Sequence, residues 1–233
     1  MPASPQIPLD LAFPAAHTRA DFLVAPANRD AVGWVDRWPD WPGPILILEG
    51  PPGCGKTHLA RIWAARTGAA WIGPEEATTP PEASALAARG THLALDPLDA
   101  WIGTADAETA LFHLYNILKE NGRSALATLR APPATVAFTL PDLASRLRAA
   151  PMAAIRAPDD DLLSALLVKL FADRRLPVDA DVIAYILPRM ERSFAAARAL
   201  VEAADRRALA EKRSLSVPLI RQTMEDLDRI GGL

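Results

Sequence analysis

A single cysteine, Cys54, stands in the 233 residues, so no disulfide can form within the chain. No apolar run approaches the roughly 18 residues a helix needs to cross a bilayer. The start, "MPASPQIPLDLAFPAA", has no basic n-region and carries Asp10 and several prolines, so it does not read as a signal peptide. These absences point to a cytoplasmic protein without a membrane partner. Positive charge is not in excess: 25 basic against 28 acidic residues leave a net charge of -3, so there is no bulk electrostatic case for nucleic-acid binding. Lysine is scarce beside arginine, a bias that reads as base composition rather than function. His17, His92 and His113 have no metal-ligand spacing. Trp34, Trp38 and Trp41 cluster without a basic stripe, so they read as packing rather than base stacking. Half of the residues are hydrophobic, enough to bury a core.

Residues 1–20 are rich in Pro and Ala and have no sustained periodicity, as expected of an extended arm. Residues 21–157 then alternate short apolar strands with amphipathic helices. "ILILEG", "AAWIG", "THLALD" and "SALATLR" read as strands, with "GKTHLARIWAARTG", "AETALFHLYNILKENG" and "PDLASRLRAA" as helices. This alternation predicts an α/β three-layer sandwich around a parallel sheet. From residue 158 to 233 the pattern is helical throughout, which predicts a small separate bundle. No internal repeat is present.

"GPPGCGKT" (Gly50–Thr57) matches G-x-x-x-x-G-K-[ST], and it directly follows a strand and opens a helix, as a phosphate loop must. Gly50, Gly53 and Gly55 let backbone N–H groups turn toward an anion, and the helix N-terminus adds partial positive charge. Pro51, Pro52 and Cys54 fill the loop, and His58 follows it on the helix. Lys56 is expected to reach the β- and γ-phosphates of ADP or ATP, and Thr57 to bind Mg²⁺. Asp96, at the end of the "THLALD" strand, fits the acid on the Mg²⁺ side.

"GKTHL", "LYNIL" and "LPDLASRL", placed as they are after the first, third and fourth strands, together resemble the DnaA branch of the AAA+ ATPases, and within it the Hda regulators that inactivate the initiator DnaA. The resemblance covers nearly the whole chain and implies that the helical tail is an AAA+ lid. Three departures accompany it. Pro97 stands where the family carries an acid or amide that positions water, with Asp99 two residues on. Arg130, with Thr128 nearby, stands where relatives carry a γ-phosphate sensor. Ala195 stands where the lid usually presents an arginine, flanked by Arg192 and Arg198. Together they imply a nucleotide binder with slow turnover.

The resemblance also implies a role for Arg146 as an arginine finger acting on DnaA, with Arg148 as a neighbour that could be confused with it. It places Phe22, Leu23 and Val24 beside adenine, where core packing is an equally good reading. "QIPLDL" resembles the peptide that binds the sliding clamp of DNA polymerase, with Gln6, Leu9 and Leu11 as its anchors and DNA reached indirectly through the clamp. A homodimer is a further association left open. The expected function is regulation of replication initiation. An independent AAA+ ATPase of helicase-loader or truncated-initiator type is the alternative, and a small-molecule P-loop kinase a weaker one. No C-terminal helix-turn-helix domain is expected after the lid, which argues against direct origin recognition.

Overall fold

A computed structural model describes Arg19 and residues 22–230. Among them five strands form one sheet, β1 (Ile45–Glu49), β2 (Ala70–Ile72), β3 (Leu93–Leu95), β4 (Ala125–Leu129) and β5 (Met152–Ala154). Their order is β2-β3-β4-β1-β5, and every pairing is parallel. A parallel sheet needs crossover helices on both faces, so its strands are apolar on both sides. β1 shows this directly. Ile45 and Ile47 enter one buried cluster, while Leu46 and Leu48 enter another across the sheet.

The first cluster is closed by α4 (Ala83–Ala88), α5 (Ala105–Glu120) and α6 (Pro141–Ala149), which contribute Leu86, Leu111, Leu114, Leu118, Leu143 and Leu147. The second is closed by α1 (Arg29–Asp36) and α2 (Lys56–Thr67) through Val32, Val35, Leu59, Ile62 and Trp63. Trp34, Trp38 and Trp41 pack beside that second cluster, as their lack of a basic stripe suggested. Trp41 stacks on Trp63 at 5.5 Å between ring centroids, and Trp38 meets Trp63 edge-on at 6.3 Å. The short α3 (Glu75–Thr78) lies between β2 and α4.

The strand β5 is absent from the sequence reading, which found four. "PMAAIRAP" is short, alanine-rich and bracketed by prolines, so its intrinsic strand preference is low. It becomes a strand because the edge of β1 offers it a ladder, with Ile47 opposite Met152 and Glu49 opposite Ala154.

The remaining helices, α7 (Asp160–Asp173), α8 (Ala180–Ile186), α9 (Phe194–Glu211) and α10 (Val217–Ile230), bury their own third cluster around Leu167, Phe171, Ile186, Leu200, Val201, Leu219 and Ile220. Asp159 caps α7 by accepting from the Leu162 N–H, and Ser193 caps α9 by accepting from the Ala196 N–H. The architecture is the α/β sandwich with a helical lid that the sequence predicts. No described helix is long and apolar enough to cross a membrane.

Candidate functional site

The carboxyl ends of β1, β3 and β4 face the same crevice. In open α/β sheets, ligands gather in such a crevice because the strand-to-helix loops converge there. The loop after β1 runs from Gly50 to Gly55, and three of its glycines have positive φ: 152° at Gly50, 71° at Gly53 and 104° at Gly55. Gly50 and Gly53 have no room for a side chain. A Cβ on Gly50 would sit 2.1 Å from the Ile155 carbonyl oxygen, and one on Gly53 would sit 2.5 Å from the Ser193 Cβ. The chain therefore needs glycine there for shape and for space.

The Lys56 ammonium arches over the loop, donating to the Gly50 carbonyl at 2.6 Å and the Pro51 carbonyl at 2.8 Å. The Thr57 hydroxyl donates to Asp96 Oδ1 at 3.2 Å. Thr128, buried in β4, donates its hydroxyl to the same carboxylate oxygen. Asp96 is thus fixed by two hydroxyls, one from the loop helix and one from the central sheet. Cys54 is buried, and burial pushes its thiol above the ordinary value more than the Lys56 ammonium pulls it down. It is a filler of the loop and a poor nucleophile.

A cavity of about 460 Å³ opens beside the loop. That is within the range of small-molecule sites, on the order of 300–1,000 Å³. Gly53, Gly55, Lys56, Thr57, His58 and Arg61 line it from the core; Leu166, Phe194, Ala195 and Arg198 line it from the lid. Phe22 and Leu23 close it, and the Phe22 ring stacks on His58 with centroids 5.6 Å apart. Val24, read from the resemblance as a third residue here, does not line the cavity and is 48% exposed. Gly50, Pro51, Pro52, Cys54 and Asp96 shape the loop and its flank without forming the cavity wall. Leu166, Phe194 and Arg61 were not singled out in the sequence. They lie on helices whose apolar spacing looks like ordinary packing, and only the approach of lid to core brings them together on one cavity wall.

The flanking lid arginines separate clearly. Arg192 is exposed and pairs with Asp160 at 3.1 Å. Arg198 lines the cavity and has no carboxylate or hydrogen-bond partner among the described residues. Burial, then the Arg174 and Arg61 guanidiniums, lower its pKa below the arginine norm. An unpaired guanidinium in such a place favours an anion beside it. Ala195 also lines the cavity, with no charge to offer.

Asp99 does not point to the loop as a free acid. Its Oδ1 accepts the Arg130 backbone N–H at 3.2 Å, and its Oδ2 is buried with no partner among the described residues. It ties the turn after β3 to the end of β4. Pro97 carries no acceptor group beyond its carbonyl.

Arg146 lies on α6 with its guanidinium 4.3 Å from the Phe112 ring centroid and 5.2 Å from that of Tyr115. Its Nη1 donates to Asn116 Oδ1. Phe112, Tyr115 and Asn116 all belong to α5, so that helix cradles this arginine, with Tyr115 and Asn116 supplied by the "LYNIL" stretch and Phe112 from just before it. Its Nε and Nη2 carry no hydrogen bond among the described residues, which leaves a two-pronged edge for an incoming anion. Arg148 differs: its Nε is spent on the Pro133 carbonyl at 3.3 Å. The Gln6, Leu9 and Leu11 peptide lies outside the described residues.

One buried charge was missed entirely. Glu108, on α5, is fully buried and accepts backbone N–H groups from Gly103 at 2.8 Å, Thr139 at 3.0 Å and Leu140 at 2.7 Å. Burial pushes its carboxyl up, but the donors from Thr139, Gly103 and Leu140 outweigh that and hold it below the ordinary value. In sequence it looks like an acid in the first turn of a helix, where the macrodipole alone would explain it.

Comparison with known proteins agrees with this geometry. Residues 159–224 match the family model described as Hda, lid domain. Domain III of the replication initiation protein DnaA from Thermotoga maritima is similar over 91% of this chain and 97% of its own, at 16% identity and a TM-score of 0.78. AMPPCP-bound DnaA from Aquifex aeolicus is similar over 77% of this chain and 62% of its own, at 19% identity and a TM-score of 0.64. The Thermotoga maritima RuvB Holliday junction branch migration motor is similar over 78% of this chain and 61% of its own, at 18% identity and a TM-score of 0.60. At such identities the likeness shows a shared fold, a parallel-sheet α/β core followed by a helical domain, and it is the helical domain, over residues 159–224, that is similar to the Hda lid.

Proposed function

We propose that this protein is a regulator of replication initiation that holds ADP or ATP for shape and stimulates ATP hydrolysis in the initiator DnaA. The observation that supports it best is a complete grip beside an incomplete cutting apparatus. The glycine loop, Lys56, the Thr57–Asp96 pair and the cavity fit a nucleotide with Mg²⁺. The loop N–H groups and Lys56 would hold the phosphates, Thr57 and Asp96 the metal side, and Phe22, Leu23 and Leu166 the base. Asp99, the acid two residues after Pro97, is engaged with the Arg130 N–H instead. Bound Mg²⁺ would neutralise phosphate charge. Hydrolysis in the partner would draw on Arg146, whose cradled guanidinium keeps an open edge.

The experiment is initiator ATP hydrolysis on clamp-loaded DNA, with this protein added alongside ADP, ATP or neither. Nucleotide-dependent stimulation is the expected result; no stimulation under any condition, or brisk hydrolysis by this protein alone, rejects the reading. Lys56→Ala is expected to weaken ADP binding at least about 100-fold, because it removes the loop ammonium that would turn from the Gly50 and Pro51 carbonyls to the phosphates. Isothermal titration checks it.

Clamp docking is the second part of the proposal. It rests on Gln6, Leu9 and Leu11 and on the extended character of residues 1–20 in sequence. Deleting residues 1–11 is expected to abolish clamp binding in surface plasmon resonance while ADP affinity stays at the intact protein's value. Unchanged clamp binding assigns the contact elsewhere.

A further inference from the structure

The lid does not merely roof the cavity; it is bonded to the phosphate loop. The Phe194 backbone N–H donates to the Gly53 carbonyl at 2.9 Å. Around that bond the fit is close. Ser193 occupies the space a Gly53 side chain would need, and the Phe194 ring lies 3.3 Å from where a Gly55 Cβ would be. Ser193 is itself buried, and its hydroxyl accepts the Ala196 N–H as the cap of α9.

A trans peptide points its C=O and its N–H in opposite directions. The carbonyl of Gly53 belongs to the same peptide as the Cys54 N–H. Anchoring the carbonyl to the lid therefore fixes the Cys54 N–H to point away from the lid contact. A phosphate loop works by presenting such N–H groups inward, and a glycine at φ 71° leaves the peptide free to rotate unless something holds it.

We infer that the Phe194 N–H to Gly53 C=O bond makes the lid a positioning element of the phosphate-binding loop, so that docking of α9 and binding of a nucleotide's phosphates reinforce each other. This rests on the reading of the loop as a nucleotide site. The reinforcement runs both ways, because a coupling free energy between two events is reciprocal. Phosphate in the loop holds the lid down, and an undocked lid leaves the loop less ordered.

Phe194 is the first residue of α9, and that position allows a clean test. Its N–H has no acceptor inside the helix, and proline is well tolerated there. The residue before it, Ser193, has φ -139° and ψ 149°, the extended backbone that precedes proline comfortably. Phe194→Pro removes the N–H, while Phe194→Ala loses the same ring and keeps it. Affinity for ADP and for adenosine, which has no phosphate, is measured for both, with thermal unfolding of the nucleotide-free proteins. Phe194→Pro is expected to bind ADP about tenfold more weakly than Phe194→Ala, the cost of about one hydrogen bond. The two are expected to bind adenosine alike and to unfold at similar temperatures. Equal ADP affinity of the two variants overturns the inference, as does an equal loss for adenosine, which would mark a general disturbance of the lid. Lys56→Ala is the control for the underlying reading: if it binds ADP normally, the nucleotide site itself is wrong and the inference falls with it. If only Lys56→Ala is defective, the site stands and the lid coupling does not.

Discussion

Arg146→Ala is expected to lower stimulation of initiator ATP hydrolysis by about 10³-fold or more while ADP binding is unchanged. The reason is charge development. In phosphoryl transfer the negative charge spreads over the terminal oxygens, and a guanidinium supplied by a neighbour stabilises it in a site that excludes water. The surroundings of Arg146 suit the proposed role. Its face rests on Phe112 and Tyr115, one nitrogen is held by Asn116, and the opposite edge is unbonded among the described residues. Holding a long side chain in one orientation reduces the rotamer entropy lost when it engages a partner. Arg146→Lys is expected to rescue little, since an ammonium neither stacks as a plate nor offers a fork. Arg148→Ala serves as the neighbouring control and is expected to retain stimulation. The measurement is phosphate release by the initiator on clamp-loaded DNA, with ADP titrated into each variant separately. Normal stimulation by Arg146→Ala would remove the residue from the mechanism.

The second large effect concerns stability. Glu108→Ala is expected to destabilise the protein by about 3 kcal/mol, because the N–H groups of Gly103, Thr139 and Leu140 lose one shared acceptor. Gly103 and Thr139 lie near solvent, so water replaces part of what they lose, which keeps the figure below the sum for three fully buried donors. The consequence reaches the proposed finger. Leu140 is the residue before α6, and Glu108 pins the entry to that helix, which carries Arg146. Glu108→Gln retains one accepting oxygen but turns amide hydrogens toward N–H donors, so an intermediate loss is expected. The pH dependence has a definite sign. A carboxyl whose folded pKa lies below its unfolded value, about 4.3 for glutamate, stabilises the fold fully above that unfolded value. The contribution is lost as pH falls through the depressed folded pKa. Wild type and Glu108→Gln are therefore expected to differ in urea midpoint at neutral pH and to converge under acid. A constant difference across that window removes the ionised carboxylate from the explanation.

Residues that act through local rules were legible without coordinates. The glycines of the loop, the strand before it and the helix after it satisfy a steric and electrostatic requirement that lies within eight consecutive residues, Gly50–Thr57. The alternation of apolar strands and amphipathic helices carried the layered fold, since period and length are local quantities. Asp96 was legible as well, because a strand-end acid is defined by its neighbours in sequence.

What the sequence could not decide are the contacts made between segments far apart. β5 exists because β1 leaves an edge for it, and Glu108 is a structural anchor because Thr139 and Leu140 come to it from thirty-odd residues away. Arg192 and Arg198 are equal by spacing. The docking of α9 on the core sends one to Asp160 at the surface and the other into the cavity wall. The bond between Phe194 and Gly53 spans 141 residues, and no propensity or period encodes it. Sequence by itself determined which chemistry the loop can perform, because backbone freedom and side-chain type are properties of single residues. Only the tertiary structure decided which groups stand beside that loop, because proximity across a fold is set by the packing of whole layers.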